Sequence, residues 1–99
     1  MAIESKKVYE LLKQIPQGRV TTYKALADKL KTKAYRAIGQ IVGTNPDAPI
    51  VPCHRVVKAD GGISGYAFGV KKKIALLKSE GLGIKAGKVV NFEKKFFKW

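Results

Sequence analysis

Apolar residues recur at helical spacing in four stretches of this chain. Val8, Leu11, Leu12 and Ile15 share one face from Ser5 onward, with Ser5 placed to cap the first turn. Pro16-Gln17-Gly18 stops that helix, and Arg19-Val20 leaves room only for a short strand or extended connector. A second face carries Tyr23, Leu26, Ala27 and Leu30, starting at Thr22. Lys31-Thr32-Lys33 then makes a tight polar turn, and Thr32 is placed to cap a third helix bearing Ala34, Ala37, Ile38 and Ile41. Gly39 within that helix costs about 1 kcal/mol relative to alanine, so packing or a close approach should offset it. Val70, Ile74, Leu76 and Leu77 support a fourth helix, ended by Gly81 and Gly83.

The remaining segments are punctuated by glycine and proline. Residues 43–49 read as a turn-rich connector, 58–62 as a turn, and 63–69 as a loop in which aromatics alternate with glycines. Residues 84–90, centred on Ala86-Gly87, read as a short hairpin. In the lysine-rich segment 91–99, Phe92, Phe96, Phe97 and Trp99 are expected to pack against the domain rather than stack on bases. The pattern predicts a mainly α fold with short β elements, one domain over 1–99. The second and third helices, about 22–42, match a helix-turn-helix, although many helical hairpins bind nothing.

Charge narrows the class. Twenty Lys and Arg against 7 Asp and Glu give a formal charge of +13, while 45% of the 99 residues are hydrophobic, enough for a modest core. Such an excess favours a polyanionic partner or an anionic surface, with a solvated lysine surface as the alternative, and steers association without fixing a fold. One cysteine cannot close an internal disulfide, and one histidine beside it does not make a zinc ligand set. The amino end lacks the apolar region of a signal peptide, and no window approaches the length that spans a bilayer. A cytoplasmic protein needing no membrane, metal or cofactor is the expectation.

Candidate chemistry concentrates in Ile50-Val51-Pro52-Cys53-His54-Arg55-Val56-Val57, where the only cysteine and the only histidine are adjacent. Two readings stand side by side. A lone cysteine is often a small buried hydrophobe, and burial alone raises a thiol pKa. A neighbouring imidazole or the Arg55 guanidinium would instead favour thiolate. In an extended segment adjacent side chains face opposite ways, so sequence contact does not establish spatial contact.

The run Pro52-Cys53-His54-Arg55-Val56-Val57 resembles the acceptor-cysteine motif of the O6-alkylguanine-DNA alkyltransferases. The resemblance covers roughly 5–84, through Gly18, Thr22-Tyr23, Arg36-Ala37-Ile38-Gly39, Asn45-Pro46, Gly65-Tyr66 and Glu80-Gly81, in the family's order and spacing. It implies a winged helix-turn-helix-like domain that transfers the alkyl group of O6-alkylguanine, mainly O6-methylguanine, irreversibly to its own Cys53. On this resemblance His54 draws the thiol proton away through a water, Glu80 orients His54, Tyr23 donates toward guanine N3, and Asn45 braces the turns around the site. Val42, Tyr66, Ala67 and Phe68 would line the alkylguanine pocket. Thr22, Thr32, Ala34, Tyr35, Arg36, Ala37 and Gly39 would meet the DNA minor groove, with Arg36 filling the space of the flipped base. Duplex DNA is the implied partner of a monomer, with no obligate protein partner. Larger members add an amino-terminal domain, so a minimal version is expected here.

Three positions depart from the family's pattern. Tyr35 stands where a small residue is usual, Ala67 replaces a hydroxyl found in some relatives, and Phe68 replaces a common glycine. Tyr35 implies either a bulkier groove-facing surface or a ring left in solvent, and Ala67 and Phe68 imply a narrower pocket unless Phe68 turns into the core. Two other functions compete. A noncatalytic lesion sensor of the same fold would flag alkylated bases, but such sensors replace the acceptor cysteine, and Cys53 is present. A basic helix-turn-helix structural or regulatory protein would explain the charge and 22–42, but not the matches at Cys53, Tyr66 and Glu80.

Overall fold

The computed structural model describes residues 4–45, 50–63, 65–66 and 69–99. Among these residues five helices and four two-residue strands follow one another: α1 (Ser5–Leu12), β1 (Thr21–Thr22), α2 (Tyr23–Lys29), α3 (Tyr35–Gly43), β2 (Val56–Val57), α4 (Val70–Ser79), β3 (Ile84–Lys85), β4 (Lys88–Val89) and α5 (Phe92–Lys95). A single 3₁₀ turn, Cys53–Arg55, precedes β2. The architecture is mainly helical with small sheets, in the helix-turn-helix arrangement that the apolar spacing predicts.

Local chemistry explains most boundaries and corrects two expected caps. α1 is preceded by Glu4 without a side-chain cap, so Ser5 lies inside the helix rather than capping it. Thr22 caps α2, its Oγ1 accepting from the Ala25 amide at 3.0 Å. α2 ends with Lys31 in the left-handed region, the Lys31 amide donating to Asp28 and the Thr32 amide to Ala27. This closure turns the chain sharply into α3. Thr32 does not cap α3: its Oγ1 accepts from the Ala34 amide at 3.1 Å, within the turn and ahead of the helix. Gly39 is also placed otherwise than expected. A Cβ there would meet no described atom within 4 Å, so no close backbone approach offsets its helical cost.

The sheets are too short for periodicity to reveal. β1 runs parallel to β2, with Thr21 opposite Val56 and Thr22 opposite Val57. This pairing seats the segment after Cys53 beside the start of α2. Val20, expected as part of a connector, is buried and forms a parallel bridge to Phe96, with hydrogen bonds to Lys95 and Phe97. The aromatic tail accordingly packs on the domain: Phe97 and Trp99 flank one core cluster and Phe92 the other. β3 and β4 form the hairpin, turned by Ala86 and Gly87, both at positive φ, as a two-residue hairpin turn requires.

α4 differs most from its predicted face. Val70 is exposed, and the buried positions are Lys73 and Leu77, four residues apart. A lysine occupies a core position, which a search for apolar residues passes over.

Candidate active site

Backbone geometry first brings Cys53 inward. The 3₁₀ turn replaces the extended segment expected there, and at three residues per turn Cys53, His54 and Arg55 diverge onto three sides. Cys53 is buried and unpaired, and it opens onto a cavity of about 280 Å³. Tyr23, Gly39, Val42, Gly43, Gly65 and Tyr66 complete its walls. Gly39, Gly43 and Gly65 have no described atom within 4 Å of an added Cβ, so their missing side chains leave the space open. The volume sits at the lower end for small-molecule pockets, roughly 300–1,000 Å³. A larger cavity of about 430 Å³, between α2 and the tail, is lined by Lys24, Asp28, Phe96 and Trp99 among others, and holds no thiol or imidazole.

His54 is buried, with Nε2 2.9 Å from Glu80 Oε2. Burial holds its pKa below the ordinary histidine value; the Glu80 hydrogen bond and charge oppose this, while the Arg55 and Lys73 charges add to it. For Glu80, burial pushes the pKa up, but hydrogen bonds from Arg55 and His54, with their charges, outweigh it and hold the carboxyl below its usual range. An ionised Glu80 only accepts, so a neutral His54 carries its proton on Nε2. Nδ1 is then the basic nitrogen, and it is buried with no hydrogen-bond partner among the described residues.

Arg55 is placed differently from one of its sequence readings. Its guanidinium grips Glu80 with two bonds, Nε to Oε1 at 2.9 Å and NH2 to Oε2 at 2.6 Å, while NH1 donates to the Ile15 carbonyl at 2.7 Å. The fork therefore fixes the carboxylate that fixes His54. Glu80 is itself held at the end of α4, where Gly81 at φ +93° and the Leu82-to-Leu77 hydrogen bond close the helix.

The other predicted residues divide by position. Asn45 is buried, and its Nδ2 donates to the Val51 carbonyl at 2.6 Å, tying the end of α3 to the segment entering Cys53. Tyr66 meets His54 edge-on, ring centroids 6.5 Å apart, and its phenol pKa is raised by burial first and by the Cys53 charge second. Ala67 and Phe68, and with them the expected narrowing, lie outside the described residues. At the start of α3, Ala34, Tyr35 and Arg36 are exposed, while Thr32, Ala37 and Gly39 are half-buried. Thr22 is buried, its hydroxyl oxygen engaged as the α2 cap. The roles of Arg55 as clamp and of Gly43 as pocket wall went unread in the sequence, and so did Lys73, fully buried beneath the site. Among the described residues no group of three His, Cys, Asp or Glu is gathered as for a metal ion. No helix among them is long and apolar enough to cross a membrane.

Comparison with known proteins matches residues 4–82 to a family described as 6-O-methylguanine DNA methyltransferase, DNA binding domain. A methylated-DNA--protein-cysteine methyltransferase of Saccharolobus islandicus is 49% identical over 77 residues, covering 78% of this chain and 50% of that protein. The crystal structure of Mycobacterium tuberculosis OGT in complex with DNA superposes with a TM-score of 0.75 at 40% identity, over 81% of this chain and 51% of that one. S. pombe Atl1, in complex with damaged DNA containing O6-carboxymethylguanine, matches over 100% of both chains, with a TM-score of 0.84 and 27% identity. The chain spans half or less of the length of the curated relatives it matches.

Proposed function

Since this chain belongs to the O6-alkylguanine-DNA alkyltransferase family, we propose that it repairs O6-alkylguanine in duplex DNA by moving the alkyl group onto Cys53. The observation that carries this reading is one cavity joining an unpaired thiol to two tyrosines, beside an imidazole locked by a carboxylate.

The relay follows from the donor and acceptor assignments. The Cys53 proton passes through a water to His54 Nδ1, the nitrogen left basic once Nε2–H is committed to Glu80. Glu80 stays ionised and steadies the imidazolium that forms. Sγ then attacks the alkyl carbon in line, the S–C bond forms, and the C–O6 bond breaks with its electron pair going to guanine. Tyr23, in the cavity wall, donates toward N3 as that charge develops. The product thioether has no ordinary hydrolytic exit, so each molecule acts once.

A base inside a duplex cannot reach a buried sulfur, so the nucleotide must be extruded. α3 is the element for this: Arg36 is exposed, its side chain making no hydrogen bond or ion pair among the described residues, and two small residues follow it on the helix. The net charge of +13 supplies the backbone attraction. Asn45 holds the acceptor turn in place through Val51.

The test is intact mass after incubation with duplex DNA bearing O6-methylguanine. One methyl group gained on the Cys53 peptide supports transfer. A second reading is lesion binding alone, motivated by the end-to-end match to Atl1, which is seen bound to damaged DNA. Tight binding with no mass gain would select it.

A further inference from the structure

We propose that Lys73 is a positioning residue for the acceptor cysteine, its buried ammonium holding the two backbone segments beside Cys53 and presenting a fixed positive charge to the sulfur. The inference rests on the reading of Cys53 as the alkyl acceptor. Lys73 is 1% exposed, and no larger side chain of the described residues is so fully buried. Its Nζ donates to the Val56 carbonyl at 2.8 Å, directly after the Cys53–Arg55 turn, and to the Gly65 carbonyl at 3.4 Å, in the cavity wall. One side chain from α4 therefore ties the residue after the Cys53–Arg55 turn to one wall of the cavity.

Burying a cation is unfavourable unless something in the structure answers its charge. Two carbonyls answer part of it. Burial lowers the Lys73 pKa to about 8, and charge on Cys53 opposes that shift. At about pH 7 a lysine of this kind is still largely protonated, and at about pH 9.5 it is largely neutral. The other groups facing the site are His54 on the same turn, whose protonation Lys73 opposes, the Arg55–Glu80 pair behind it, Tyr23 from α2 in the cavity wall, and Tyr66 from the loop. On α4 itself Lys71 and Lys72 are exposed.

Two variants separate charge from scaffold. Lys73→Met fills the space without charge, and Lys73→Gln keeps a donor for the carbonyls without charge. The probe is iodoacetamide, whose carbon forms a bond to the Cys53 sulfur as iodide leaves and the thiol proton passes to solvent. Both variants should react about tenfold more slowly than the parent near pH 7, a difference on the order of 1.4 kcal/mol. Near pH 9.5, where the parent has lost the same charge, the rates should converge. Equal rates near pH 7, a deficit that persists unchanged near pH 9.5, or loss of the cooperative melt in both variants would assign Lys73 to packing and overturn the proposal. The parent's mass gain on methylated duplex is measured separately. A chain that fails there but shows the pH-dependent gap would lose its assigned function and keep its charged lysine.

Discussion

Glu80 is the residue on which the proposed chemistry and the local stability meet. Its carboxylate takes three hydrogen bonds, one from His54 and two from Arg55. Glu80→Gln removes the charge and leaves Arg55 with an imperfect acceptor. Alkyl transfer should fall by roughly 10²-fold, within the range for positioned acid–base groups. Stability should fall by about 1–3 kcal/mol, as when a partly buried charged bond loses its partner. Single-turnover transfer and thermal melting check the two together. Lys73 makes an opposite kind of statement. The unfolded chain binds this proton near 10.5 and the folded chain only near about 8. Over that window protonation favours the unfolded state, so stability drops as pH is lowered from 10.5 to 8 and levels off below. The full drop is on the order of 3 kcal/mol. The melting temperature of Lys73→Met should lack this slope, seen as a difference from the parent across alkaline pH. Sequence reading found these two residues unequally. Glu80 stood out only through its resemblance to a motif, because a carboxylate at a helix end is usually solvated. Lys73 lay in a run of three lysines whose phase on the helix the apolar spacing did not resolve.

Among the elements, α3 carries two demands that oppose each other. Helix propensity asks for alanine at Gly39, and no described atom stands in the way of a Cβ. The cavity asks for glycine, because Gly39 forms part of its wall beside Cys53. Gly39→Ala should therefore raise stability by about 0.5–1 kcal/mol while slowing reaction with free O6-methylguanine, measured by denaturant melts and methyl transfer. A loss of both would place Gly39 in the fold rather than in the pocket. The helical hairpin was legible because Leu26, Ala27, Ile38 and Ile41 repeat at helical spacing. β1 and β2 were not, since two residues each cannot show alternation, and only the pairing of Thr21 with Val56 reveals them. Ser5 and Thr32 misled for a related reason: a hydroxyl near a helix start can sit one residue inside it or two residues before its cap.

For the whole molecule, charge governs encounter and shape governs capture. The net charge of +13 predicts that DNA affinity falls steeply as salt is raised, because phosphate contacts release counterions. A titration of the dissociation constant across salt concentrations reads this directly, and a flat response would remove the electrostatic interface. Arg36→Ala should weaken reaction with the lesion in duplex DNA more than reaction with the free base, since only the duplex requires extrusion. Arg55 has a different reach. Its guanidinium joins Glu80, 25 residues ahead, to the Ile15 carbonyl, 40 residues behind, so the relay closes only when the two ends of the core have met. Contacts so far apart in the chain form late in folding, after the loops between them have closed. A nascent or unfolded copy carries Cys53 beside an imidazole that no carboxylate yet fixes. If each copy reacts once, as proposed, that single reaction would then be reserved for copies that have finished folding, and stray alkylating agents would meet an unassisted thiol until that moment.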